Sequence, residues 1–171
     1  MKIGDWENKN LDLIKEMLRQ GELRVAAQVQ LATSADQRAT VLAGIYVAAA
    51  TGIIGALATQ PNILTNKPLL VGAVVAAILF LAGSIFSIWA TIPVGFWAPG
   101  NDPEQWYADI DKSVSVARAL GEQSEHYNDM ISDNRNIIKR NATRFRMGAI
   151  CGIAAPIAGI FAGGVTCLLA V

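Results

Sequence analysis

Charged and apolar residues are segregated along this chain rather than interleaved. Asp, Glu, Lys and Arg are absent from residues 39–66, 68–101 and 147–171. Each window carries a run of roughly 20 apolar residues, the length of helix that crosses about 30 Å of hydrocarbon. The pattern predicts three membrane spans, at residues 39–59, 68–92 and 147–171.

Outside the spans the apolar residues keep a different rhythm. Leu11, Ile14, Leu18 and Val25 recur at three-four spacing, with Gly21 interrupting the seam and Val29 and Ala32 continuing it. That spacing belongs to a helix packing along one stripe. With no proline before residue 39, the amphipathic segment 1–38 is expected to run into the first span as one long helix, Gly21 being its candidate break.

The segment after the second span, "PVGFWAPGNDPEQWYADI", contains Pro93, Pro99, Gly100 and Pro103 and has to turn. Asp102, Pro103 and Glu104 then form a helix-start signature: an acceptor side chain, a proline in the first turn and an acid on the positive dipole end. A second long helix is expected over residues 103–146, and the absence of proline between Pro103 and Pro156 lets it continue into the third span. A heptad along it puts Ile110, Ala117, Ser124, Ile131, Ile138 and Phe145 at one seam position, with Ser113, Leu120, Tyr127, Asn134 and Asn141 at the other. A buried asparagine at a seam fixes register and oligomer state. Asn134 and Asn141 are therefore candidate assembly residues, the alternative being that they face water.

The fold class that follows is an all-α integral membrane protein. Two of its three membrane helices are continuous with long cytoplasmic helices, the second span is a hairpin return, and the whole is an oligomeric helical bundle. Small residues repeat every fourth position at Gly44, Ala48, Gly52 and Ala56, and again at Ala155, Gly159 and Gly163. Such faces let another backbone approach closely, in place of the hydrophobic drive that lipid cannot supply. The partner is a helix of the same chain or of a second protomer. Pro156 removes a backbone hydrogen bond inside the third span and favours a kink, static or acting as a gating hinge. Trp89 and Trp97, flanking the exit of the second span, are read as interfacial anchors.

The balance of 14 basic and 14 acidic residues says nothing about partners, but their placement does. Only Lys67 lies between the first two spans, whereas Arg24 and Arg38 precede the first, and Arg135, Lys139, Arg140, Arg144 and Arg146 precede the third. By this asymmetry the amino terminus and the central segment face the cytoplasm. The first residues mix acids and bases on an amphipathic pattern, so no cleaved signal peptide is expected.

Little in the chain suggests catalysis. Its single histidine, His126, has no ligand cluster, and Cys151 and Cys167 lie about 24 Å apart along a helix, too far to bridge. No metal or cofactor is expected. Ser124 and Ser132 lack an oxyanion cradle, no phosphate-binding glycine loop occurs, and the "NAT" at Asn141 falls on the cytoplasmic side as an accidental glycosylation sequence. Because no span holds an ionisable residue, ion-coupled transport is disfavoured. A conducting path would rely on Thr51, Ser84, Ser87, Thr91 and Thr166.

The run "RNIIKRNATRFR" at the foot of the third span is first a topology determinant and headgroup anchor. The functional alternative is that Arg135, Lys139, Arg140 and Arg144 of several subunits form a positive vestibule for a phosphate-bearing ligand. The two readings are compatible.

A long amphipathic helix, then "ADQRATVLAGIYVAAATGIIGA", a hairpin span, and a second long helix ending "YNDMISDNRNIIKRNATRFRMGAICGIAAPIAGI" resembles the small membrane effectors of bacterial antiphage nucleotide signalling. These are the transmembrane effectors of Pycsar systems, SLATT-type effectors and the Hailong membrane effector. The stretch at residues 36–39 followed by Gly44, and the Asn134–Asn141 run leading into a membrane helix, carry the resemblance. It implies a homo-oligomer, a tetramer or similar, that perforates or depolarises the inner membrane under control of a nucleotide or oligonucleotide from a partner nucleotidyltransferase or cyclase. Many relatives have two spans or four, where this chain has three. The rival reading is a non-conducting scaffold or subunit of a larger complex; a holin-like lysis protein is a third.

At the membrane threshold Asp36 and Arg38 stand two apart, so they do not face each other on a helix. Asp36 is expected to pair with Arg144 or Arg140.

Overall fold

The computed structural model describes residues 6–61, 63 and 65–169. Among them there is no strand, and three helices are long and apolar enough to cross a membrane. Helix α1 covers Leu11–Thr59, α2 covers Lys67–Ala90, and a 3-10 turn at Pro103–Trp106 leads into the short α3, Tyr107–Asp111. The long α4 runs over Val116–Leu169.

Local chemistry sets most of these bounds. The Asn10 carboxamide accepts from the Asp12 and Leu13 amides and opens α1; Asn66 accepts from Leu69 and opens α2, with Pro68 in the first turn. The Asp102–Pro103 signature starts a helix too, but a short one. Ser113 adopts φ +52°, which a right-handed helix cannot continue, and Ser115 then caps a new start by accepting from the Arg118 amide at 3.3 Å. The second long helix thus begins at Val116 rather than at residue 103.

Gly21 does not break α1. It lies inside the helix, where a Cβ would stand 3.1 Å from Tyr127 Cβ, so the missing side chain serves the close approach of α4.

The chain divides into two compact units, the first taking residues up to Thr33 with Val94–Lys139, the second Ser34–Pro93 with residues from Arg140 onward. In the first, Val25, Tyr127 and Met130 form a core flanked by Leu18 and Ile131. Ile14 is buried as well, and the Trp6 ring fills the space left by Gly121. The heptad face of α4 is the packed one: Ser124, Tyr127 and Asn134 are buried. In the second unit α1 buries Ala39, Ala43, Tyr46 and Ala50, one stripe of its surface. Its other faces remain exposed, as do most apolar side chains of α2 and of the end of α4, the distribution of helices whose solvent is lipid.

Candidate functional site

Within the second unit, backbone approaches backbone where α2 crosses α4. A Cβ on Gly72 of α2 would stand 2.6 Å from the Gly159 carbonyl oxygen of α4, and one on Gly159 would stand 2.8 Å from the Gly72 oxygen. A Cβ on Gly163 would come to 3.0 Å from the Pro68 oxygen, and one on Gly148 to 2.9 Å from the Gly83 oxygen. The α2–α4 crossing is therefore a glycine seam. The third helix enters it as a knob: the Tyr46 ring of α1 occupies the space that Gly152 leaves open, touches Gly83, and lies 5.8 Å from the Phe80 ring.

The sequence stripe at Ala155, Gly159 and Gly163 is thus consumed inside the chain. The stripe on α1 is not: around Gly44, Gly52 and Gly55 a Cβ would meet nothing within 4 Å. Pro156 lies within an unbroken α4 and lines an open apolar groove with Pro68, Leu69, Ala73 and Ile160. Of the polar residues considered for a conducting path, Ser84 and Ser87 are buried between helices, where the Ser87 hydroxyl donates to the Gly83 carbonyl at 2.9 Å. The Thr91 and Thr166 hydroxyls donate back to Ile88 and Ala162, and Thr51 is exposed.

At the membrane threshold the expected ion pair is replaced by a different arrangement. Arg144 places its guanidinium 4.6 Å over the Trp89 ring and donates to the Trp89 carbonyl at 3.2 Å. That carbonyl belongs to the last turn of α2, where the helix has unpaired acceptors and negative dipole character, so a cation is well placed there. Asp36 pairs with neither Arg144 nor Arg140. Its position continues the packed stripe of α1 one turn ahead of Ala39, and burial without a cationic partner pushes its carboxyl above the usual carboxylate range. Arg38 is exposed, and among the described residues it has no ion pair.

In the first unit a loop is tied down along α4 by side-chain amides. Asn134, fully buried, accepts from the Trp97 amide at 2.9 Å and donates to the Trp97 carbonyl at 3.0 Å. Gly100 donates to the Tyr127 hydroxyl at 3.0 Å, and Asn101 exchanges two hydrogen bonds with Gln123. The Trp97 indole donates to Asp133 and meets the His126 ring edge-on at 5.9 Å. Trp97 is thus fastened to α4, and the Asn134 amide bonds within the chain. Asn141 is partly buried, its Oδ1 without a partner.

The basic residues of α4 fall on both sides of the division, Arg135 and Lys139 in the first unit and Arg140 and Arg144 in the second. Arg135, Lys139 and Arg140 are exposed. Tyr46, Gly72, Gly83, Gly148 and Gly152 were not singled out from the sequence. Gly152 and Gly148 lie three and seven residues upstream of Ala155, on the same helix face but off the strict four-residue repeat; no comparable rule reaches Tyr46.

No group of His, Cys, Asp and Glu suited to a metal ion occurs among the described residues. No curated protein and no solved structure matches the chain. A family model, PycTM, the Pycsar effector protein domain, matches residues 23–170. With that match running from the amphipathic part of α1 to the last turn of α4, the chain belongs to the Pycsar effector transmembrane family, and is a multi-pass membrane effector of antiphage defence.

Proposed function

We propose that the protein acts as a homo-oligomer, a tetramer or similar, in the bacterial inner membrane. It forms a gated channel or pore that depolarises or permeabilises the membrane under control of a nucleotide or oligonucleotide signal, supplied by a partner nucleotidyltransferase or cyclase. Its amino terminus and central segment face the cytoplasm, and no catalysis is required of it.

One observation carries this reading. Gly148, Gly152, Gly159 and Gly163 of α4 are filled by neighbours in the chain, but on the small face of α1 a Cβ at Gly44 or Gly52 would meet nothing within 4 Å, and Ala48 and Ala56 are exposed. A face that smooth is suited to a backbone contact with another protomer. Exposed Thr51 lies on the same side of the helix, a polar group for a path that α1 helices enclose. Arg135, Lys139, Arg140 and Arg144 are the candidates for the phosphate-bearing signal, the Arg144 guanidinium lying over Trp89 in this structure. A ligand there shifts the closed-open equilibrium only by its differential affinity for the two states.

Liposome flux and cell depolarisation with Gly52→Leu and Arg140→Glu test the proposal. Gly52→Leu is expected to abolish leakage and Arg140→Glu to abolish its response to the signal. Wild-type behaviour in both overturns it. A scaffold, unlike an effector, would be harmless to cells whether or not its partner is triggered.

A further inference from the structure

We propose that the groove between α1 and α4 at the membrane threshold binds one anionic phospholipid, its phosphate on Arg38 and an acyl chain along Val41, Leu42, Ile45 and Phe145. The groove is bounded by these residues and Gln37, all within one compact unit. Its polarity runs in one direction. Gln37 and Arg38 stand at one end, followed over the next two turns by Val41, Leu42 and Ile45, with Phe145 as the facing wall. That is the order of groups in a phospholipid, head to tail.

The charge is unopposed. Among the described residues Arg38 has no ion pair, and its planar fork is suited to two phosphate oxygens at once. The selectivity for an anionic lipid follows from what the groove lacks. A zwitterionic headgroup brings an ammonium that needs an acid, and no acid lines the groove. Asp36, the nearest in sequence, lies on a different face of α1 and is half-buried. Nor does the lining offer groups to read a nucleobase, since Gln37 is its only uncharged polar member. The apolar wall is accessible: Val41 is 64% and Ile45 56% exposed.

Native mass spectrometry of the full chain, released from detergent containing equal amounts of phosphatidylglycerol and phosphatidylcholine, tests this. The wild type is expected to retain phosphatidylglycerol about fivefold over phosphatidylcholine, the effect of one juxtamembrane arginine. Arg38→Gln should remove that preference, Ile45→Trp should lower retention of both lipids, and Arg146→Gln, at an exposed base outside the groove, should leave the preference intact. Equal retention by the wild type, or a preference that survives Arg38→Gln, overturns the proposal. So does loss of the lipid on adding millimolar inorganic phosphate, which would assign Arg38 to a free anion. Efficient disulfide formation between chains at Val41→Cys with no lipid adduct would give the groove to a second copy and overturn it as well.

Discussion

Tyr46 of α1 stands where a side chain on Gly152 of α4 would have to be. One large ring and one missing side chain thus bring a third helix into the α2–α4 seam, and the ring is 6% exposed. Gly152→Ala should expel the ring and destabilise the chain by about 2 kcal/mol or more, read as a drop in unfolding temperature in detergent. Gly164→Ala, where a Cβ meets nothing, should be close to neutral in the same assay.

Gly72 and Gly159 guard each other's carbonyls, so their substitutions are coupled. Gly72→Ala and Gly159→Ala should each cost about 1–3 kcal/mol by forcing the helices apart. The double variant should cost clearly less than the sum, because the second methyl enters a contact already opened. Additive losses measured by thermal unfolding would show that the two glycines act separately.

Asn134→Ala removes both partners of the Trp97 backbone. Leaving these groups unpaired should cost about 2–3 kcal/mol and raise the mobility of the loop. The Trp97 amide should exchange hydrogen at least tenfold faster, while Asp133→Asn, altering only the exposed indole contact, should have little effect on that rate.

Asp36 makes stability depend on pH in a defined direction. Its carboxyl is pushed above its ordinary value of 3.8 by burial, so folding favours the protonated form. This contribution is complete below the ordinary value and is lost as the pH rises through it to the folded-state value. Asp36→Asn should therefore be more stable than wild type at pH 7 and no different near pH 3. Equal stability at both pH values would place the carboxylate in water.

Arg144→Gln should loosen the end of α2 by roughly 1 kcal/mol and alter Trp89 fluorescence, since it removes both the ring contact and the bond to the Trp89 carbonyl. Arg144→Lys should restore part of the first effect and less of the second, because an ammonium does not stack as a guanidinium does.

The three membrane helices were legible because charge exclusion over 20 residues leaves a chain few alternatives. The packed faces were legible too, where a repeat is long: the heptad through Ser124, Tyr127 and Asn134 coincides with burial. Misreadings arose where a local signal had two physical uses. Gly21 reads as a break and is a point of close approach; Asp102–Pro103 does start a helix, but nothing in its own residues announces that Ser113 will end it. Nor does the heptad position of Asn134 announce that it holds a loop 37 residues away in sequence. The partner of a charge was not readable at all: Arg144 found an aromatic ring and a helix end, and Asp36 found no cation. Such pairings depend on which helix faces meet, which the pattern on a single helix does not encode.

The amide-held loop also works as a ruler. Its attachments at Trp97, Gly100 and Asn101 run in the opposite direction to their partners Asn134, Tyr127 and Gln123. Three residues of chain reach at most about 10 Å, the rise of the seven helical residues between Asn134 and Tyr127. The two spacings are commensurate, so a single residue inserted or deleted between Trp97 and Gly100 would put every later attachment out of step. A loop that composition would class as tolerant of length changes is therefore held to one length by the helix beneath it.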